Sequence, residues 1–292
     1  GLAQIAGPKA DSAKIKTATR MAGSQEYGVY PDKDGRYDVG YYDINLEIEP
    51  DSQQVAGHVG IHFQIEEPTQ TIQFDLSNSL SLDSVLSKEG KPLEYRRDAE
   101  YPWLIHLKLD RKFEPGQRGG IEVYYHGTPS TKGFASFRFT EVAGEPVIWT
   151  LSEPFGAKEW FPCKDTPADK ADSAAINVTV PRPLFVASNG VLQDSVSLPG
   201  NRVRYEWKTR YPIAQYLISL AIADYNSYEQ QFTDNRGRSM PFVNYIYSNE
   251  NLEQVKQKTD VTIDLLNFFS ERFGPYPFIK EKYGHAQFTW GG

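Results

Sequence analysis

From Tyr37 onward, hydrophobic and polar residues alternate. Tyr42, Ile44, Leu46 and Ile48 fall on one side of an extended chain, with Asp43, Asn45, Glu47 and Glu49 on the other. Successive side chains of a strand point to opposite faces, so this run predicts a strand with one wet face. Pro50-Asp51-Ser52 supplies a turn. Val55, Val59, Ile61, Phe63 and Ile65 then alternate with Ala56, His58, Gly60, His62 and Gln64. Two alternating runs across a short turn predict an antiparallel hairpin.

The rhythm continues in short apolar runs at Ile72–Leu76, Trp103–Leu109, Ile121–Tyr125, Phe134–Phe139 and Val147–Leu151. Between them lie turn sequences such as Glu89-Gly90-Lys91, Glu114-Pro115-Gly116 and Ala143-Gly144-Glu145. Further runs follow at Ala174–Val180, Val186–Ser188, Arg202–Trp207 and Tyr216–Ala223. Many short strands with almost no helical periodicity predict a mainly β domain over residues 28–225, a sandwich or a saddle-shaped pair of sheets.

Beyond it the pattern changes. Phe242–Tyr247 reads as a strand. Leu252, Val255, Thr259, Thr262, Ile263, Leu266, Phe269 and Phe273 then recur at three- and four-residue steps, which predicts one amphipathic helix. Asn251 with Gln254 resembles a capping box, and Gly274-Pro275 ends the helix. Tyr283–Trp290 reads as a last strand before Gly291-Gly292. A second domain of this size with one helix has a marginal core, so residues 226–292 are expected to be the beginning of a larger domain. Residues 1–27 are small, polar and weakly patterned, and read as a lead that precedes the fold. Such a lead suits a secreted or periplasmic protein after signal-peptide removal, and nothing else in the chain fixes the compartment.

Composition narrows the function classes. The 292 residues are 39% hydrophobic and 24% charged, as in ordinary soluble proteins. The aromatic share of 13% suits half-buried sheets. A net charge of −7 and a pI near 5.4 argue against nucleic acid as a partner. No apolar run approaches the roughly 20 residues of a spanning helix. A single cysteine excludes an intramolecular disulfide and any multi-cysteine zinc site.

The five histidines, His58, His62, His106, His126 and His285, include no close helical ligand pair. His58 and His62 share the polar side of one predicted strand and read as solvated residues, with a surface metal pair as the alternative. Asp32-Lys33-Asp34-Gly35 reads as a turn rather than a calcium loop, because the later ligands are missing. Asn177-Val178-Thr179 is a glycosylation sequon inside a predicted strand. Cys163 has Lys158, Lys164 and Lys170 nearby in sequence but no recognisable histidine partner, so it reads as a packing thiol. Glu153 precedes Pro154 between two strand patterns, which places it on a loop. It is either a surface carboxylate or a binding group.

The stretch from Glu153 to Lys170 resembles the zinc aminopeptidases of the aminopeptidase N and leukotriene hydrolase kind, which are gluzincins. Their N-terminal domain carries a Glu or Gln nine positions before a Pro-Cys-x-Asp-x-Pro run, then a Lys. Here these are Glu153, Pro162, Cys163, Asp165, Pro167 and Lys170. Ala157 and Phe161 fit as well. Tyr42-Asp43-Ile44-Asn45-Leu46 resembles the family's opening strand, and Pro212 to Ala223 the close of its β-domain. Phe273 to Lys280 is similar to the segment that leads to the exopeptidase loop, and Gly291-Gly292 to that loop's first residues. Lys158 stands where Arg is commoner, and Thr166 where Glu is commoner.

The resemblance implies a saddle-shaped antiparallel β-sandwich followed by the start of an α/β, thermolysin-like catalytic domain. It implies peptide substrates with a free N-terminus, and Glu153, Gly291 and Gly292 as substrate-binding residues. Zinc is the implied cofactor of the full-length parent. The His-Glu-x-x-His helix, the distal Glu ligand and the catalytic Tyr are expected beyond Gly292. This chain is therefore expected to carry no catalytic residue, to bind no zinc and to be inactive without its catalytic domain. The chemistry is consistent with a split site. Carboxylates hold a protonated α-amine through charge-assisted hydrogen bonds, and fixing the amine sets only the first peptide bond over the metal. Zinc polarises the carbonyl and activates water, and a glutamate accepts the proton. The alternative reading is a non-catalytic binding or scaffold protein that keeps the β-domain.

Overall fold

The computed structural model describes residues 34–290, and nineteen strands organise these described residues. In chain order they are β1 (Tyr37–Glu49), β2 (Gln54–Ile65), β3 (Thr69–Asp75), β4 (Leu80–Ser87), β5 (Tyr95–Arg97), β6 (Leu104–Phe113) and β7 (Arg118–Gly127). Then come β8 (Phe137–Val142), β9 (Glu145–Thr150), β10 (Lys170–Ala171), β11 (Ser173–Pro181), β12 (Phe185–Ser188) and β13 (Val191–Leu198). The last are β14 (Arg202–Thr209), β15 (Ile213–Ala214), β16 (Leu220–Ala223), β17 (Tyr225–Thr233), β18 (Ser239–Tyr247) and β19 (Tyr283–Ala286). They form a seven-stranded sheet, β13-β14-β11-β1-β2-β7-β4, with smaller sheets β3-β6-β5, β12-β16-β9-β8, β17-β18-β19 and β10-β15.

The expected hairpin is β1–β2. Its register skips one residue between Val39 and Tyr41, a bulge at Gly40. The extra residue reverses the alternation, so Tyr37 and Val39 before it and Tyr42, Ile44, Leu46 and Ile48 after it are all buried. Two pairs, β1–β11 and β18–β19, are parallel rather than antiparallel. In β1–β11, Tyr42 lies opposite Ala174, Ile44 opposite Ile176 and Leu46 opposite Val178. Buried residues thus face buried residues across the seam. Ile44, Phe74, Leu107, Ile148 and Ile222 belong to one continuous core drawn from the three larger sheets of the β-rich region.

Several boundaries differ from expectation. Lys132–Ala135 is a helical turn, so the strand expected from Phe134 starts at Phe137. β17 has no apolar rhythm of its own and is drawn into the sheet by its hairpin with β18. The expected single helix is two, α1 (Leu252–Thr259) and α2 (Val261–Phe273). At the junction Thr259 Oγ1 donates back to the carbonyls of Val255 and Lys256, and its hydroxyl also meets Tyr228. A side chain that competes for helix carbonyls interrupts the ladder. Asn251 caps α1 as expected, its Oδ1 accepting from Gln254 N at 3.1 Å. α2 packs Leu266 with Phe232, Met240 and Ile279.

The last strand ends at Ala286 rather than Trp290. Gln287 N donates to Tyr245 O, and its side-chain Oε1 accepts from Tyr247 N at 2.7 Å. The side chain replaces the next ladder bond, and the backbone leaves the sheet toward β8 and β9.

Candidate functional site

Glu153 sits three residues beyond the end of β9 in an exposed loop, and its peptide bond to Pro154 is cis. No hydrogen bond or ion pair holds its carboxylate among the described residues. The backbone that carries it is fixed from several sides. Gly156 N donates to Ser152 O at 2.8 Å and closes the turn. Ser152 is buried, and its Oγ accepts from Trp160 Nε1 at 3.0 Å. A Cβ at Gly156 would lie 2.1 Å from Ser136 Oγ, so a side chain there collides with the packed turn.

Behind the loop stands a buried polar cluster. Lys158 Nζ lies 3.1 Å from Asp165 Oδ2 and also donates to the Phe155 carbonyl. Gln215 Nε2 donates to Asp165 Oδ1 at 2.9 Å and to the Pro154 carbonyl at 3.3 Å. Asp165 N donates to Asp75 Oδ2 at 2.9 Å. Burial pushes the Asp165 carboxyl up, and Lys158 opposes that shift. Two consecutive loop carbonyls, Pro154 and Phe155, are therefore held by side chains anchored on one buried carboxylate.

The stretch around Cys163 is mostly interior, in keeping with a packing thiol. Gly156 to Asp165 are all buried, while Glu153 and Pro154 in front of them are exposed. Cys163 is fully buried in the main core, and its backbone exchanges hydrogen bonds with Asp75 at 2.7 and 3.0 Å. Lys164 pairs with Asp169 at 2.6 Å and lies over the Tyr37 ring. The neighbouring lysines Lys158 and Lys164 are thus engaged by carboxylates, since a buried cation needs a partner.

Other sequence candidates fall elsewhere. His58 stacks on Tyr124, and His62 lies against Tyr41. His285 in β19 bonds Asn244 through Nδ1 at 2.9 Å, and burial lowers its pKa. Asp34 binds Arg36 and accepts from Gln73 N, whereas Asp32 and Lys33 lie outside the described residues. Asn177 donates to Asp43 and Asn45 from within β11. Gly291 and Gly292 also lie outside the described residues. Among the described residues no group of three or more His, Cys, Asp or Glu could hold a metal ion. No described helix is long and apolar enough to cross a membrane.

An open cleft of about 330 Å³ lies between β9–β16 and β18–β19, lined by Trp149, Thr150, Lys282, His285 and Phe288 among others. Lys282 Nζ donates to the Ser188 and Gly190 carbonyls at 2.6 and 2.7 Å and lies 4.7 Å above the Trp207 ring. Burial pushes its ammonium down to about 8. Sequence reading missed the roles of Gln215, Trp149 and Lys282. Gln215 lies in a short turn within an apolar stretch, and one buried polar residue in such a run is the only signal it leaves.

Residues 39–217, more than half of the chain, match the family model described as Peptidase M1 N-terminal domain, and the chain belongs to that family. It is 24% identical over 246 residues to aminopeptidase 2 of Candida albicans, covering 82% of this chain and 25% of the relative. It is 23% identical over 243 residues to human glutamyl aminopeptidase, covering 80% of this chain and 25% of that enzyme. The chain thus spans about a quarter of the length of these curated relatives. Among solved structures, a two-domain M1 zinc metallopeptidase mutant bound to L-arginine superposes with a TM-score of 0.77 at 23% identity, over 90% of this chain and 59% of that one. The M1 zinc metallopeptidase of Deinococcus radiodurans gives 0.75 at 23% identity, over 88% of this chain and 57% of that one. These likenesses establish the fold.

Proposed function

We propose that this chain is the N-terminal part of a zinc aminopeptidase, in which Glu153 holds the protonated α-amine of a peptide substrate. The observation that carries the reading is the contrast at the loop. Glu153 is exposed and free of protein partners among the described residues, while the backbone on its C-terminal side is clamped by Gln215 and Lys158. A carboxylate fixed in place but unspent is suited to a charge-assisted bond with an incoming ammonium. The β-domain is taken as residues 28–225 and the start of the catalytic domain as 226–292, with Gly291 and Gly292 opening the second half of the amine clamp.

By this reading zinc is held in the catalytic domain of a longer parent, and the described residues of this chain include no group of three or more His, Cys, Asp or Glu that could hold a metal ion. α2 supports that arrangement. Val261, Leu265, Phe268, Phe269 and Phe273 lie on one side of it and are about half or more exposed, Phe273 at 82%. An apolar face of this kind calls for a cover, here the rest of the catalytic domain.

Two measurements test the reading. In the full-length enzyme, Glu153→Ala is expected to raise KM for free-amine peptides by about ten- to a hundred-fold, the loss of one charge-assisted bond. Unchanged kinetics refute the role of Glu153. The 292-residue chain alone is expected to bind no stoichiometric zinc and to leave aminoacyl anilides intact; zinc with turnover overturns the division of labour.

A further inference from the structure

Phe288, Thr289 and Trp290, which lead directly into Gly291, are bound to the β8–β9 hairpin. Trp149 Nε1 donates to Thr289 Oγ1 at 2.8 Å. Thr289 Oγ1 lies 3.0 Å from Thr140 Oγ1, and Thr140 Oγ1 donates to Val147 O at 2.9 Å. Each hydroxyl has one proton, which fixes the direction of the chain. Thr140 gives its proton to Val147, so Thr289 gives its proton to Thr140 and accepts from the indole. Around this polar thread the Trp149 ring meets Phe288 at 5.3 Å and Trp290 at 5.9 Å. Trp149 itself is buried.

Trp149 lies on β9 four residues before Glu153. One strand therefore carries the loop that presents Glu153 and also grips the segment entering Gly291-Gly292. The geometry points to Trp149 and Thr289 as positioning residues that hold residues 288–290 in register with the strand that presents Glu153. This rests on the proposed amine clamp. Two groups that hold one ammonium must stay in register to a fraction of an ångström, and a directed hydrogen-bond thread between aromatic faces supplies that constraint. Neither residue touches substrate; both act through the spacing.

Hydrogen exchange on the 292-residue chain tests the tie. Thr289→Val breaks the thread at constant shape, and Thr289→Ser keeps it. Exchange over residues 286–290 is expected to accelerate about five- to ten-fold in the valine variant, the loss of about one hydrogen bond, and to return in the serine variant. Strands β8 and β9 should remain protected in both. Equal exchange in all three proteins overturns the tie. In the full-length enzyme the valine variant is expected to raise KM for free-amine peptides about five-fold with kcat within about two-fold, rescued by serine. On a Glu153→Ala background it should add less than about two-fold. Full additivity, or KM unchanged by valine, overturns the positioning role. If Glu153→Ala alone leaves KM unchanged, the amine clamp fails, and the exchange result still decides the tie.

Discussion

The Lys158–Asp165 pair makes a sharp prediction, because both side chains are buried and Lys158 is the cation that lies against the Asp165 carboxylate. Lys158 is 5% exposed and Asp165 is fully buried. Lys158→Met keeps most of the aliphatic stem, so the loss is electrostatic rather than a cavity. Removing one partner from a buried pair costs about 3–5 kcal/mol. Against a total of about 5–15 kcal/mol for a folded domain, that is a large share.

The loss should depend on pH with a defined sign. The Asp165 carboxyl is already pushed up by burial, and without Lys158 it rises further. A carboxyl raised in the folded state keeps its proton there longer than in the unfolded chain. Stability therefore falls as pH climbs from the unfolded value near 4 through the folded one. The methionine variant should lie closer to wild type at about pH 5 than at about pH 8. Adding Asp165→Asn removes the stranded charge and should recover about 1–3 kcal/mol at the higher pH. Urea unfolding of the four proteins of the cycle at both pH values reads all of this. A loss under about 1 kcal/mol at pH 8, or one that does not change with pH, refutes the account of this cluster.

Other outcomes follow from the same structure. Ile44 is fully buried in β1 between Val59 and Ile176, so Ile44→Ala should cost about 2–5 kcal/mol by urea unfolding. Glu153→Ala in the 292-residue chain should change stability by less than about 0.5 kcal/mol, since its carboxylate has no partner among the described residues; a larger loss means it has a structural role. Burial holds the Lys282 ammonium down to about 8 in the folded chain, against the ordinary lysine value of about 10.4 when unfolded. The unfolded chain then binds more protons in that window, so wild-type stability should gain relative to Lys282→Met between about pH 8 and 10. Parallel curves for the two proteins would contradict the burial of that ammonium.

Local rules reached the sheets and stopped at the connections between them. The β1–β2 hairpin was legible because a two-residue period survives in the sequence on each side of Gly40, although the bulge that keeps both halves inward leaves no composition signal. The parallel β1–β11 seam was not legible, since it joins residues more than a hundred positions apart through matching buried faces. β17 was invisible for a related reason. Its residues YNSYEQQFT carry no apolar rhythm, and pairing with β18 alone decides their conformation. Thr259 split the expected helix through one hydroxyl, a choice between side-chain and backbone donors that periodicity does not record.

The site divides along the same line. Glu153 was found because its loop lies in a dense motif, but its neighbours in sequence and in space play different parts. Lys158, Lys164 and Asp165 entered the sequence reading only as neighbours of Cys163 or as motif positions, and the structure buries all three. A charge in water is free to meet a ligand, whereas a buried charge must spend its interactions on partners that neutralise it. That distinction leaves the motif with one exposed carboxylate on a rigid mount. Asp165 is the centre of the mount, because Lys158 and Gln215 both bond it and each reaches one of the two carbonyls after Glu153. Substitution in the mount should consequently act on the placement of Glu153 and on stability together, whereas substitution of Glu153 itself should spare the fold.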